Sequence, residues 1–228
     1  MATTRKRPSK TRTPLNRERV LQAAVELADR DGLEALSMRR LGSELGVEAM
    51  SLYNHVTNKD DLLDGIVDAV TAEFADPGTT PGDDWRAVIR ACVITQHDVL
   101  LRHPWTAALA ESRVRTGPVR LRYYDSLLGV LRAAGFSELG AYRANLTLDS
   151  FVYGFTLQEV SWVAWPPESA DRGWELAEAF VARTDETEFP NLVGIAQLSV
   201  SGKIDLATDF EVALDAILDG LERIKAAG

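Results

Sequence analysis

The chain has 228 residues, of which 46% are hydrophobic and 26% are charged, and it contains a single cysteine. These proportions exclude a collagen-like or largely disordered chain, and the lone Cys92 excludes an internal disulfide framework and a cysteine-rich zinc site. No uncharged apolar run reaches the ~18 residues of a membrane helix, and no apolar signal-peptide core follows the basic N-terminus. We therefore expect a cytoplasmic protein without a membrane partner.

Charge is unevenly distributed along the chain. The net charge is −9, yet residues 1–60 carry 11 Lys and Arg against 8 Asp and Glu. Residues 61–228 carry 14 Lys and Arg against 26 Asp and Glu. A basic N-terminal segment is attracted to polyanions whatever the total charge, so nucleic acid remains an expected partner.

The first residues differ in composition from those that follow. Residues 1–13 combine Thr, Ser, Pro and basic residues without apolar periodicity, and we predict a mobile basic arm. From Pro14 onwards, apolar residues follow the spacing of one helical face as far as Ala28, and Gly32 is a typical helix stop. An ordered domain is therefore predicted to begin at residue 14.

Two short helices and a tight turn follow the first helix. Ser37 is a suitable N-cap for the second helix, and Gly46 suits a left-handed turn into a third helix at Ala49–His55. Asn58 is predicted to cap a fourth, connecting helix. These elements predict a helix-turn-helix DNA-binding domain over residues 14–74.

Residues 75–84 are rich in turn formers and indicate a domain boundary. Residues 84–228 are predicted to form a helical effector-binding and dimerisation domain. Its helices are predicted at Trp85–Arg102, Pro104–Ser112, Pro118–Ala134, Glu138–Ala164, Gly173–Thr184, Pro190–Ser199 and Thr208–Ala226. No strand-like alternation or hairpin signal is present, so the predicted fold class is all-α, a three-helix N-terminal domain followed by a larger helical domain.

The second helix of a helix-turn-helix enters the major groove of DNA. Leu36, Leu41, Leu45, Val47 and Leu52 are predicted to form the internal side of this unit. The residues expected to contact DNA face outward or flank the turn, and they are Arg39, Ala49, Met50, Ser51, Tyr53, Asn54, His55 and Lys59. Alternatively, the short helices belong to an unrelated bundle, and Tyr53 and His55 are only packed at its surface.

Residues 45–63, which include Leu52-Tyr53-Asn54-His55-Val56-Thr57-Asn58-Lys59, resemble the recognition helix and following turn of the TetR family of bacterial transcriptional regulators. Residues 25–41 are similar to the first two helices of that family. The C-terminal part resembles the tetracycline-repressor core more loosely, through Gly135-Phe136 and the segment Phe189–Leu192. The resemblance implies a homodimer, a double-stranded DNA operator with two-fold symmetry, and a core that senses a small-molecule effector. It also implies DNA contacts at the outward-facing residues given above.

The sequence departs from the tetracycline repressors in both domains. Ala49-Met50-Ser51 stands where those proteins have Gln-Pro-Thr, and Asn54 stands where they have Trp, so we expect a different operator sequence. Between Thr106 and Arg115 no histidine corresponds to their magnesium ligand. A metal–tetracycline effector is therefore disfavoured, and no metal or cofactor is predicted.

The predicted core domain lacks the usual catalytic and nucleotide-binding motifs, so we do not expect an enzyme. Asn145 and Asp149 lie one turn apart in an otherwise apolar helix. If they point inward they need hydrogen-bonding partners, which a ligand would supply. His97, Trp105 and Tyr124 are the candidates to complete this effector pocket, with ordinary core packing as the alternative for the aromatic residues.

Two helices carry more apolar surface than one core obviously needs. In the last helix a wide stripe is formed by Phe210, Ala213, Leu214, Ile217, Leu218, Leu221 and Ile224, and residues 138–164 are apolar over more than one face. We expect these helices to pair with their mates in a homodimer. Alternatively, both stripes are buried within one chain.

The sequence thus predicts a transcriptional repressor that a small-molecule effector releases from a palindromic operator. A regulator that needs no effector, or whose ligand promotes DNA binding, is an alternative within the same class. A helical ligand-binding or enzymatic protein with a nonspecific basic head is the alternative from a different class.

Overall fold

The computed structural model describes residues 14–78, 84–113, 116–163 and 173–226. These residues form eleven α-helices and no strand, which confirms the predicted all-α class. The helices are α1 (Arg17–Asp31), α2 (Met38–Leu45), α3 (Ala49–Leu52), α4 (Lys59–Thr71), α5 (Trp85–Arg102), α6 (Trp105–Ser112), α7 (Pro118–Ala133), α8 (Glu138–Val163), α9 (Gly173–Arg183), α10 (Pro190–Val200) and α11 (Leu206–Ala226). The predicted basic arm, residues 1–13, lies outside the described residues.

The chain forms two compact units that divide inside α4, between Ile66 and Val67. The sequence had placed this connecting helix entirely in the first domain. Its last turn and the residues just after it instead belong to the second unit, where Asp68 bonds to α7 and Phe74 packs against Tyr123. The predicted linker and its turn-forming residues lie beyond that point.

The first unit is built from capped helices around a small apolar core. Asn16, Ser37 and Asn58 each accept a hydrogen bond from a backbone N–H three residues later, at 2.8, 3.2 and 2.8 Å. Such caps satisfy donors that a helix start leaves without partners. Of the predicted internal residues, Leu36, Leu41 and Leu52 are buried, whereas Leu45 and Val47 are half-buried.

The third helix is shorter than the sequence predicts. It ends at Leu52 rather than His55, and the N–H groups of Tyr53, Asn54 and His55 bond to the carbonyls three residues earlier. Bonds of this spacing tighten the backbone into a turn at a helix end. Three of the predicted DNA-contact residues therefore lie on a turn and not on a helix.

The second unit is organised around α8, which packs against α5, α6, α7 and α11. Trp85 at the start of α5 meets the ring of Phe136 edge-on, with the ring centroids 5.1 Å apart. Helices α9 and α10 pack against each other. No helix in the described ranges is long and apolar enough to cross a membrane.

Most of the large residues in the apolar stripe of α11 are buried within the chain. Phe210, Leu214, Leu218 and Leu221 are all buried, because α11 packs against α5 and α8. The expectation that this stripe faces a partner chain is wrong for these four residues. The large apolar residues that stay exposed on these two helices are Leu139, Tyr142, Leu146 and Leu157 on α8 and Val212 on α11.

Candidate DNA-binding surface and effector cavity

Two glycines bring α2 and α3 together at the turn of the first unit. Gly46 adopts a left-handed conformation with φ 65° and ψ 35°, which glycine tolerates without steric cost. A Cβ atom on Gly42 would lie 3.0 Å from the Val47 carbonyl oxygen and 3.1 Å from the Ala49 nitrogen. The short α3 can therefore lie close against α2, as a helix-turn-helix requires.

The side chains predicted to contact DNA lie on the outer side of this unit. Met50 is 74% exposed and Tyr53 is 43% exposed. Arg39, Asn54 and Lys59 are exposed as well. The remaining three predicted contacts are half-buried, namely Ala49, Ser51 and His55. The surface combines apolar, amide, phenol and cationic groups, which is the mixture that base edges and phosphates require.

The arginines near the turn differ in how they are paired. Arg40 bonds to Asp31 at 2.7 Å, and Arg30 bonds to Glu44 at 3.1 Å. Within the described residues, neither Arg39 nor Lys59 forms an ion pair. Their charges remain available to a phosphate, and Lys59 lies at the start of α4, where the helix dipole favours an anion.

A bidentate ion pair holds the end of the α3 turn. Arg17 of α1 donates to both carboxylate oxygens of Asp61, at 2.7 and 3.2 Å, and also to the backbone carbonyl of His55 at 2.9 Å. Asp61 in turn accepts from the Thr57 N–H at 2.7 Å. The Arg17 hydrogen bond is the main cause that lowers the pKa of Asp61 to about 2. We call this group the Arg17–Asp61 clamp.

The sequence predicts the helix cap at Asn58 but not the ion pair between Arg17 and Asp61. The pair is separated by 44 residues, so no local periodicity could reveal it. The clamp ties α1 and α4 to the residue that ends the recognition turn, which fixes the direction in which Tyr53 and Asn54 are presented.

A cavity of about 380 Å³ in the second unit brings together three of the predicted effector-binding residues. Tyr124 of α7 and Asn145 and Asp149 of α8 line it, together with Glu111 and Arg120. Asn145 donates to Asp149 at 3.2 Å. We call this space the Asp149 cavity, and its lining is polar and contains both signs of charge.

Arg120 is one of two arginines that line this cavity, and the other is Arg113. The Arg120 side chain is only 12% exposed, and it donates to the Ala110 carbonyl and to Glu111, both at 3.1 Å. It also lies over the ring of Tyr124, 5.5 Å from the centroid. Sequence analysis missed Arg120, although its position one turn before Tyr124 on the same helix face was a usable signal.

The acidity of Asp149 is also altered in this cavity. Burial raises the pKa of its carboxyl to about 6, and hydrogen bonds from Tyr124 and Asn145 together with the charge of Arg120 partly oppose that rise. Burial likewise raises the pKa of Tyr124. A half-buried carboxyl whose pKa is raised towards neutral marks a functional-site candidate when it lines a cavity.

The other two predicted effector-binding residues lie elsewhere in the unit. His97 bonds through Nδ1 to the Thr156 hydroxyl at 3.0 Å and stacks on Phe210 with the centroids 3.9 Å apart. Trp105 meets the ring of His103 edge-on at 6.3 Å. Neither lines the Asp149 cavity.

The Asp149 cavity is joined to α4 through the start of α7. The carboxylate of Asp68 accepts from the N–H groups of Val119 and Arg120, both at 3.1 Å. A Cβ atom on Gly117 would lie 2.3 Å from that carboxylate, so glycine is required for the approach. Asp68 thus caps the helix that carries Arg120 and Tyr124 into the cavity.

Together these features define a helix-turn-helix DNA-binding protein with a separate helical unit that contains a polar cavity. Residues 20–66 match the model of bacterial regulatory proteins of the tetR family. Residues 77–224 match the tetracyclin repressor-like C-terminal domain. Because this second match spans more than half of the chain, the chain belongs to the TetR family.

Relatives and solved structures agree with this assignment. An HTH-type transcriptional regulator of Saccharopolyspora erythraea is 38% identical, with 82% of this chain and 77% of the relative covered. The HTH-type transcriptional repressor DrrR1 of Streptomyces coeruleorubidus is 31% identical over 98% of this chain and 83% of the relative. Apo ActR of Streptomyces coelicolor is 31% identical, with a TM-score of 0.77 and coverage of 94% and 98%. The chain is a DNA-binding transcriptional regulator.

Proposed function

We propose that this protein is a homodimeric repressor that leaves a two-fold symmetric operator when a small molecule occupies the Asp149 cavity. The observation that carries the proposal is the bond between Asp68 and the first N–H groups of α7. Through it, the helix that enters the first unit shares a contact with the helix that supplies Arg120 and Tyr124 to the cavity.

The exposed groups of the first unit suit sequence-specific binding. Asn54 offers an amide that pairs with adenine, and the Met50 side chain suits a thymine methyl group. Arg39 and Lys59 contribute charge for phosphates, which sets affinity and register rather than sequence preference. The arm of residues 1–13 adds further basic charge, and its contribution is expected to depend steeply on salt.

The Asp149 cavity suits an effector that carries hydrogen-bonding groups and an aromatic or planar body. Arg120 and Asn145 supply donors, and the carboxyls of Glu111 and Asp149 supply acceptors. Tyr124 adds a ring surface. A crystal structure of ActR in complex with actinorhodin, 32% identical to this chain and with a TM-score of 0.76, supports a small-molecule effector.

Release from DNA is a population shift. An effector that binds better when α7 is displaced also favours a displaced Asp68 and hence a displaced α4. The two recognition turns of a dimer must lie one DNA turn apart, about 34–36 Å, to enter successive major grooves. A displaced α4 changes that separation, and the effector weakens operator binding by no more than its own differential affinity for the two states.

The exposed apolar residues of α8 and α11 are the surface proposed for dimerisation. Leu139, Tyr142 and Leu146 follow helical spacing along α8, and Val212 lies on α11. A two-fold axis would place this surface against its own copy. Replacing Leu146 with Asp is expected to shift the protein from dimer to monomer in sedimentation at micromolar concentration, whereas the same change at the exposed Leu176 of α9 leaves the dimer intact.

Selection of duplexes from a random pool tests the function directly. We expect the purified protein to enrich a two-fold symmetric sequence at near-physiological salt and against excess nonspecific DNA. The enriched duplex then serves as the probe for effectors that release it. Salt-sensitive binding without an enriched sequence would instead support the nonspecific basic head, and effectors that only tighten binding would support a ligand-activated regulator.

A further inference from the structure

A second cavity of the second unit lies between α8 and the beginning of α11 and measures about 260 Å³. Its lining consists of Phe155, Gln158, Glu159, Ile204, Leu206 and Asp209. None of these residues lines the Asp149 cavity. We call this space the Glu159 cavity.

Glu159 is the buried charged group of this cavity. Its side chain is 14% exposed, and its Oε2 atom forms no hydrogen bond of acceptable geometry with the described part of the chain. His97 Nε2 lies 3.2 Å from that oxygen. Burial lowers the pKa of His97, so the imidazole is neutral at neutral pH and does not balance the carboxylate charge. A buried acceptor without a partner is costly to the fold.

His97 is fixed in place and cannot easily turn to serve Glu159 better. Its Nδ1 atom bonds to the Thr156 hydroxyl at 3.0 Å. Its ring stacks on Phe210 at an interplanar angle of 10° and meets Phe155 edge-on at 5.8 Å. Glu159 Oε2 is therefore enclosed beside His97, and Glu159 lines the cavity with the remainder of its side chain.

The remaining lining determines which kind of molecule fits. Phe155, Ile204 and Leu206 supply apolar walls, and Ile204 is partly exposed at the surface. The only acidic or basic side chains of the lining are the carboxyls of Glu159 and Asp209, and burial raises the pKa of Glu159. An apolar enclosure with unbalanced negative charge and an aromatic wall favours a ligand that carries a positive charge.

We propose that the Glu159 cavity binds a small organic cation, with a protonated amine on Glu159 and an apolar or aromatic body against Phe155 and Leu206. The volume lies just below the range of about 300–1,000 Å³ that is usual for ligand pockets. The body is therefore limited to one or two rings. This site does not depend on the proposed role of the Asp149 cavity.

Calorimetric titration of the full-length protein with tryptamine tests the proposal. Indole-3-propionate, which has the same ring but an anionic end, is the matched control ligand. We expect one tryptamine per chain, bound at least about tenfold more tightly than the anion because only the cation pairs with the carboxylate. Equal affinity for the two ligands would overturn the proposal.

Two variants locate the binding. Glu159→Gln is expected to weaken tryptamine binding about tenfold or more, because a charge-assisted hydrogen bond is lost. Glu138→Gln removes the same charge from an exposed position of α8 and is expected to leave the affinity unchanged. Ile204→Trp fills the mouth of the cavity without a change of charge and is expected to abolish binding.

The variants also distinguish binding at the Glu159 cavity from binding at another site. If Glu159→Gln does not fold, Ile204→Trp alone tests the site, because Ile204 lies at the surface. Tryptamine binding that survives the cavity-filling variant would place the ligand elsewhere and overturn the proposal. Loss of binding in Asp149→Asn would do the same, since it would assign the ligand to the other cavity.

Discussion

Replacing Asp61 with Asn is expected to loosen the recognition turn of the first unit without unfolding the protein. The amide loses the charge that pairs with Arg17 and one of the two carboxylate acceptors. The bonds from Arg17 to the carboxylate and to the His55 carbonyl hold the end of the α3 turn. Asp60→Asn is the matched control, because it removes a charge from the same helix start and Asp60 takes no part in the hydrogen bonds that define the clamp.

The size of the effect follows from the acidity of Asp61. Its pKa falls from 3.8 to about 2, and at about 1.36 kcal/mol for each unit the fall corresponds to at most about 2.5 kcal/mol of stability. Arg17 is 46% exposed. Solvent therefore screens the pair, and a loss of about 1 kcal/mol is the expected value.

The direction of the Asp61 pKa shift determines how the stability contributed by the clamp depends on pH. Because the folded pKa is lower than the unfolded pKa, the clamp contributes its full stability above about pH 4 and loses it as the pH falls through about 2. The difference between wild type and Asp61→Asn is therefore expected at pH 7 and should shrink towards pH 2.

Hydrogen exchange is the suitable assay because the five tryptophans all lie at or beyond Trp85 and their fluorescence reports the second unit. The Thr57 N–H donates to Asp61, so its exchange should accelerate in Asp61→Asn and not in Asp60→Asn. A carboxyl titration by NMR gives the pKa directly. An Asp61 pKa near 3.8 in the folded protein, or unchanged exchange at Thr57, would refute the reasoning.

Three further predictions concern DNA recognition, coupling and pH. Asn54→Ala should reduce discrimination between operator and mutated duplexes by about 1–3 kcal/mol, whereas deletion of residues 1–13 should weaken binding to all duplexes alike. Gel-shift titrations with both kinds of duplex distinguish these two effects. An equal loss of affinity for operator and mutated duplexes in Asn54→Ala would contradict the predicted role of Asn54. Asp68→Ala should leave operator affinity within about threefold of the wild-type value but reduce effector-induced release from the operator about fivefold or more. Release is measured with an effector found by screening. Unchanged release would exclude Asp68 from the coupling between the cavity and DNA binding. Asp149→Asn should stabilise the protein at pH 7 by about 1–3 kcal/mol and have little effect at pH 4. The reason is that the raised pKa of about 6 makes the stability of the wild-type protein fall as pH rises through that value. Urea unfolding at the two pH values measures this difference in stability, and a difference that does not depend on pH would argue against the prediction.

The sequence alone predicted the helices and the type of the first unit well, because their signals are local. Caps at Asn58 and Ser37 and the left-handed Gly46 act within one turn of the chain. The same locality explains the error at α3, since the end of a short helix is set by whether its last turn tightens and not by the apolar pattern.

The sequence predicted the Asp149 cavity in part. Asn145 and Asp149 were recognised because two polar residues one turn apart in an apolar helix need partners. Tyr124 was predicted to line the pocket because it is aromatic, but the sequence supported His97 and Trp105 equally well. Only packing showed that His97 serves the aromatic cluster around Phe210 instead.

What the sequence by itself determined is the all-α class, the helix-turn-helix and the chemical character of its outer surface, since periodicity, caps and exposed side chains are properties of neighbouring residues. The tertiary structure alone decided which distant groups meet: Arg17 with Asp61, Asp68 with the start of α7, and Arg120 with the Asp149 cavity. It also decided that four residues of the α11 stripe, Phe210, Leu214, Leu218 and Leu221, are buried within their own chain. An amphipathic stripe is the same whether its partner lies in the same chain or in another, and an ion pair between residues far apart in sequence leaves no local pattern.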